Sequence, residues 1–139
     1  MDYKIIAKYI KEIDFKIPNP KIFFSLTGDI KNYKINIDIK SNQFKENIIE
    51  IETSLNLKPV KENIEKINTK IIYSTIIELQ KKISDKKILE NIILVKVPTQ
   101  IYDDLRKSFV FLFETSGFKD IKIEKNVDFQ KLYNFRKVQ

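Results

Sequence analysis

Histidine, cysteine and tryptophan are all missing from this chain of 139 residues. Without histidine or cysteine, the common base–nucleophile pairs and the imidazole or thiolate metal sites cannot be built. No disulfide framework is possible either, which fits a cytosolic address. Glycine is limited to Gly28 and Gly117, too few for a phosphate-cradling loop of the Walker or dinucleotide type. No apolar run approaches the roughly 18–20 residues that span a bilayer. The opening stretch MDYKIIAKYIKEIDF has charges scattered through it and no apolar h-region, so it predicts no signal peptide. Neither an enzyme, a cofactor nor a metal site is expected. Acidic neighbours such as Asp103-Asp104 are read as helix N-terminal charge rather than as an acid–base pair.

Arginine is almost absent too, at positions 106 and 136 only, although the formal net charge is +7. Arginine is the usual choice for bidentate base readout, so the lysine charge reads as a solvated surface of a Lys-, Ile- and Asn-rich chain. A basic α+β module that binds nucleic acid or an acidic protein partner remains the alternative reading. Hydrophobic content of 42% beside 32% charged residues fits one globular domain over residues 1–139 with a real core.

The best-punctuated stretch is Pro98–Phe135. Thr99 is read as the cap of a helix with Asp103 and Asp104 in its first turn. Ile101, Tyr102, Leu105, Phe109, Leu112 and Phe113 then recur at the helical period. Gly117 stands where a left-handed stop residue is wanted, with Phe118 as its apolar partner. After an extended piece at Ile121–Ile123, Asp128 caps a short second helix, with Val127 and Leu132 at staple positions.

Upstream, Asp2–Ile17 reads as a strand ended by Pro18-Asn19-Pro20. Lys21–Leu26 is an apolar patch closed by a turn at Thr27-Gly28-Asp29. Tyr33, Ile35, Ile37 and Ile39 alternate with polar residues, giving an antiparallel strand that turns at Ser41-Asn42-Gln43. Asn47–Leu57 is a third strand with Ile49, Ile51, Thr53, Leu55 and Leu57 on one face. Lys58–Lys66 is a polar loop. Asn68–Ile83 is a fourth strand with Ile71, Tyr73, Thr75, Ile77 and Leu79 on one side, while Ile72 and Ile76 make the other side apolar too. Ile88–Val97 suits helix or strand equally. The expected fold is α+β: a four-stranded antiparallel sheet, then a long helix and a short C-terminal helix.

Two segments resemble the SecB family of protein-export chaperones. Tyr9-Ile10-Lys11-Glu12-Ile13-Asp14-Phe15-Lys16-Ile17-Pro18-Asn19 is similar to the family's opening strand. Val127-Asp128-Phe129-Gln130-Lys131-Leu132-Tyr133 is similar to its C-terminal tail, and Tyr102 with Arg106 matches its aromatic–x–x–x–Arg step. The chain resembles a divergent, alphaproteobacterial-like member. It departs from the family at Ser74-Thr75-Ile76-Ile77, where a glycine is usual, and in its basic charge.

The resemblance implies an ATP-independent cytoplasmic chaperone, a homotetramer built as a dimer of dimers. It would hold unfolded preproteins in an export-competent state and deliver them to the Sec machinery. It implies a client groove near Phe23, Phe24, Ile67, Tyr73, Phe118, Ile121 and Ile123, although each residue taken singly suits a core or subunit interface better than client contact. It implies SecA as a partner, facing Glu12, Lys16 and Lys70. Lysine at the last two should repel a basic tail. Phe109, Leu112 and Phe113 are expected in core and oligomer contacts. A SecB-like chaperone devoted to one partner, such as an antitoxin, fits the same residues.

Overall fold

The structure, a computed structural model, describes residues 2–29, 33–59, 67–119, 121 and 123–138. Four strands, β1 (Tyr3–Lys16), β2 (Tyr33–Lys45), β3 (Ile48–Pro59) and β4 (Asn68–Leu79), form one antiparallel sheet in the order β1-β4-β3-β2. Helix α1 (Pro20–Asp29) sits between β1 and β2. After β4 come α2 (Lys86–Asn91), a π-helical turn (Ile92–Lys96) and α3 (Val97–Thr115). They run on as one helical rod of 30 residues. α4 (Phe129–Val138) closes the chain. This is the α+β order expected from the sequence, with α1 added.

Alternation places the buried face. Ile51, Thr53 and Leu55 of β3 and Ile71, Thr75 and Ile77 of β4 are fully buried under the rod, alongside Ile101, Leu105, Phe109 and Phe113. On the edge strand β1 the alternation breaks, because register shifts fall between Ile5 and Ala7 and between Ile10 and Glu12. Each bulge inserts one residue and flips the faces. Ile5, Ile10, Ile13 and Phe15 therefore lie opposite Ile77, Tyr73, Ile71 and Thr69, all on the rod side.

Several boundaries differ from expectation. Lys21–Leu26 and the turn read at Thr27-Gly28-Asp29 are helical. Pro20 stands at the first position, where its missing N–H costs nothing, and the Asn19 side chain accepts from the Ile22 N–H at 2.9 Å. The hairpin turn falls at Glu46-Asn47 rather than Ser41-Asn42-Gln43, because Asn47 takes the left-handed conformation, φ 66°, that a two-residue loop demands. β4 stops at Leu79 rather than Ile83. Most of the loop read at Lys58–Lys66 lies outside the described residues.

Thr99 is no cap. The helix starts at Lys86, where the Asp85 carboxylate accepts from the Lys87 N–H at 2.9 Å, so Ile88–Val97 is helical. Pro98 lacks the N–H that an α-helix needs there. The preceding π turn changes register so that the Val97 N–H reaches the Ile92 carbonyl, and the rod carries through the proline. Thr99 instead donates its hydroxyl to the Val95 carbonyl at 2.6 Å. Asp103 and Asp104 accordingly sit mid-helix and diverge. Asp103 pairs with Lys107 at 2.9 Å and Asp104 with Lys8 of β1 at 3.1 Å.

The lower end of the rod follows the sequence reading. Gly117 has φ +99°. The Phe118 N–H returns to the Phe113 carbonyl and the Gly117 N–H to that of Glu114, the paired bonds of a Schellman stop. At α4 the Asp128 carboxylate accepts from the Lys131 N–H at 3.0 Å.

Candidate client-binding groove

The Schellman stop turns Phe118 back against its own helix, where its ring meets Phe113 at 5.6 Å. On its other side Phe118 meets Phe23 of α1 at 4.7 Å, and Phe23 meets Phe24 at 5.6 Å. Phe113 continues inward to Phe109 and to Phe15 of β1, both at 5.1 Å. A row of aromatic rings thus runs from the surface to the centre of the molecule. Phe24 is 70% exposed, Phe118 2% and Phe113 not at all. Helix α1 roofs this row, seated by Ile22 and Leu26, which are both buried. A methyl group added at Gly117 would meet the Phe23 ring at ordinary contact distance, 3.4 Å, so the turn lies directly beside the α1 side chain.

The segment beyond Phe118 is held to the rod by two side chains one helical turn apart. Tyr102 donates its hydroxyl to the Glu124 carbonyl at 2.7 Å, and Arg106 donates Nε to the Ile123 carbonyl at 2.9 Å. The Tyr102 ring also meets Phe129 of α4 edge-on at 5.9 Å. Spacing of four puts both donors on one face of the helix, where they satisfy the carbonyls of Ile123 and Glu124, which lie outside any helix or strand. Burial pushes the Tyr102 and Tyr73 hydroxyls above the ordinary tyrosine range, so both stay neutral donors.

All seven residues expected in the groove come together. Ile67, Tyr73, Phe118 and Ile123 are buried members of one apolar cluster; Phe23 and Ile121 pack against it half-buried, and Phe24 leans on Phe23. With α1 in place, only Phe24 offers a large exposed face. Phe109 and Phe113 are buried, whereas Leu112 lines a separate open groove of about 350 Å³ with Ile10, Ile13, Ile71 and Phe111. Phe111 and this groove escaped the sequence reading. The signal was present in Ile10 and Ile13, whose spacing of three is what the bulge at Lys11 turns into a shared face.

Glu12, Lys16 and Lys70 share the opposite face of the sheet, on β1 and β4, with Lys70 directly across from Asp14. On that face Glu50 accepts from the buried Ser74 hydroxyl at 2.7 Å, from Lys11 and from Tyr9. Among the described residues no group of three or more acidic side chains gathers as a metal site. No helix of the described residues is long and apolar enough to cross a membrane.

The family profile described as "Preprotein translocase subunit SecB" matches residues 1–139. The chain belongs to the SecB family. A curated relative, the "Putative protein-export protein SecB" of Pelagibacter ubique (strain HTCC1062), is 40% identical over 135 residues, covering 97% of this chain and 96% of that one. Among solved structures, the SecB-like chaperone of Mycobacterium tuberculosis, in complex with a ChAD peptide from the HigA1 antitoxin, superposes with a TM-score of 0.59. It covers 91% of this chain and 88% of its own at 7% identity, and so shows the fold. This SecB-family protein is thus an export chaperone and not an enzyme.

Proposed function

We propose that this SecB protein holds unfolded preproteins in an export-competent state without ATP and delivers them to the Sec translocation machinery in the cytoplasm. The observation that carries this reading is the continuous aromatic row from exposed Phe24 to buried Phe109, roofed by a single short helix. Lifting α1, and Phe23 with it, would lay Phe118, Ile121 and Ile123 open as one apolar floor beside Ile67 and Tyr73. A client segment would then replace α1 against those rings. Apolar burial at roughly 25 cal/mol per Å² supplies affinity without a sequence motif in the client.

The groove of Ile10, Ile13, Phe111 and Leu112, beside the edge strand β1, would take a second copy of the chain. It supports the dimer-of-dimers tetramer. Several grooves per assembly then add avidity, since a bound chain meets its second site at high effective concentration. Hand-off to SecA through Glu12, Lys16 and Lys70 would rest on Glu12 and Asp14, because the two lysines oppose a basic tail.

The test is light-scattering mass of the protein alone, with an unfolded export-type preprotein, and with that preprotein folded. A tetramer that captures only the unfolded form is expected; a monomer that ignores both overturns the proposal. A chaperone devoted to one partner fits the same groove, and the mycobacterial neighbour was solved with an antitoxin peptide. Competition between unrelated unfolded clients for the groove separates the two, since a dedicated chaperone would take only one of them.

A further inference from the structure

The sheet face turned away from the rod divides electrically into two halves. Toward the β2–β3 hairpin its charges neutralise one another, with Lys11 held between Glu50 and Glu52 at 3.1 and 3.3 Å. At the other end Lys34 of β2 stands directly across from Lys58 of β3, and Lys16 of β1 directly across from Asn68 of β4. Continuing the β3–β4 register through the bond from the Leu57 N–H to the Thr69 hydroxyl sets Lys58 beside Asn68 and Lys70 one step further along the same face. Four lysines thus lie across all four strands, a span of about 15 Å at the usual strand spacing. None of them makes an ion pair among the described residues, and Asp14, across from Lys70, is the acid nearest in register. Like charges placed directly opposite in neighbouring strands work against the sheet, so the Lys34–Lys58 pair favours any state in which an anion lies over it.

We propose that this lysine corner docks an acidic peptide segment of a partner protein. Charge complementarity names the occupant. An extended peptide with acids at alternate positions presents a carboxylate about every 6.6 Å on one side, which suits lysines spread over 15 Å. Nucleic acid fits less well. Among the described residues the corner has no arginine fork and no aromatic face for a base to stack on, and Asp14 interrupts the track a phosphate backbone would follow. This surface lies across the sheet from the client groove, and the proposal does not depend on client capture.

The experiment titrates the full chain with a dye-labelled peptide alternating Glu and Ser, with its Gln-for-Glu twin, and with single-stranded oligothymidine, at low and high salt. The Glu peptide should bind in a salt-dependent manner and the twin should not. The double variant K34Q/K58Q should lose about tenfold in affinity, while Lys86→Gln, at the far end of the rod, binds as wild type. Thermal melts check folding: K34Q/K58Q should melt at or above wild type, because a repulsive pair is gone. If it melts lower, Lys16→Gln with Lys70→Gln replaces it with the same expected loss. Equal binding of the twin, unchanged affinity of the lysine variants, or tighter binding of oligothymidine with the same loss on K34Q/K58Q would each overturn the proposal.

Discussion

Thr53 and Thr75 are fully buried on the inner sheet face, and among the described residues neither hydroxyl has a partner. A buried hydroxyl without a partner carries a desolvation cost of about 1–3 kcal/mol. Valine has nearly the same shape and no hydroxyl. Thr75→Val should therefore raise stability by about 1 kcal/mol, read as a higher urea midpoint with unchanged slope. Gly117 works in the opposite sense. Its φ of +99° strains any L side chain, and Gly117→Ala should lower stability by about 1–2 kcal/mol, read as a lower urea midpoint. Glu50 gives the pH dependence. The Ser74 hydroxyl first, then Lys11 and Tyr9, hold its carboxyl below the usual carboxylate range against the opposing effect of burial. A folded pKa below the unfolded one contributes stability that is complete above the unfolded value of about 4.3 and is lost as pH falls through the folded value. Glu50→Gln should flatten the fall in urea midpoint between neutral and acidic buffer. An unchanged slope would mean that the cluster stores nothing.

Among the elements, α1 and the rod show what local patterning carries and what it does not. Gly117 and Phe118 announced the helix stop because a left-handed residue followed by an apolar one is a local requirement of the backbone. Asp128 announced the α4 cap for the same reason. Thr99, read as a cap, misled: its hydroxyl serves the Val95 carbonyl inside a helix that already runs through Pro98. The π turn before it removes the need for the missing N–H, and nothing local in Ile92–Lys96 specifies that turn. For α1, the element-scale test is Phe24→Ala. Phe24 touches its own element through Phe23 and is otherwise in water, so melting should not shift. Losing a side chain that a client would bury, worth about 1.5–3 kcal/mol, should weaken capture of an unfolded preprotein by at least about tenfold. Equal capture would place the client elsewhere.

On the scale of the whole molecule, the sheet has a covered face and an open one, with β1 at its edge. An exposed edge strand beside an apolar groove is a template for another chain. Phe111 is 65% exposed within the groove, so Phe111→Asp should leave the protomer folded by circular dichroism while light scattering reports a smaller assembly. A mass unchanged by that substitution would move the subunit contact away from β1 and the rod.

The sequence by itself determined the sheet's dry face, the helical stripe, the stop at Gly117 and the cap at Asp128. Periods of two and 3.6 and the needs of helix ends are written within a few residues of where they act. Through family resemblance it also named the seven residues of the proposed groove, which the structure packs into one neighbourhood. Only the tertiary structure decided that α1 is a roof, that bulges at Ile6 and Lys11 turn Ile10 and Ile13 toward the rod, and that Lys34 stands across from Lys58. Bulges, register and the closing of one element over another are settled by contacts between residues far apart in the chain, and no local pattern encodes them.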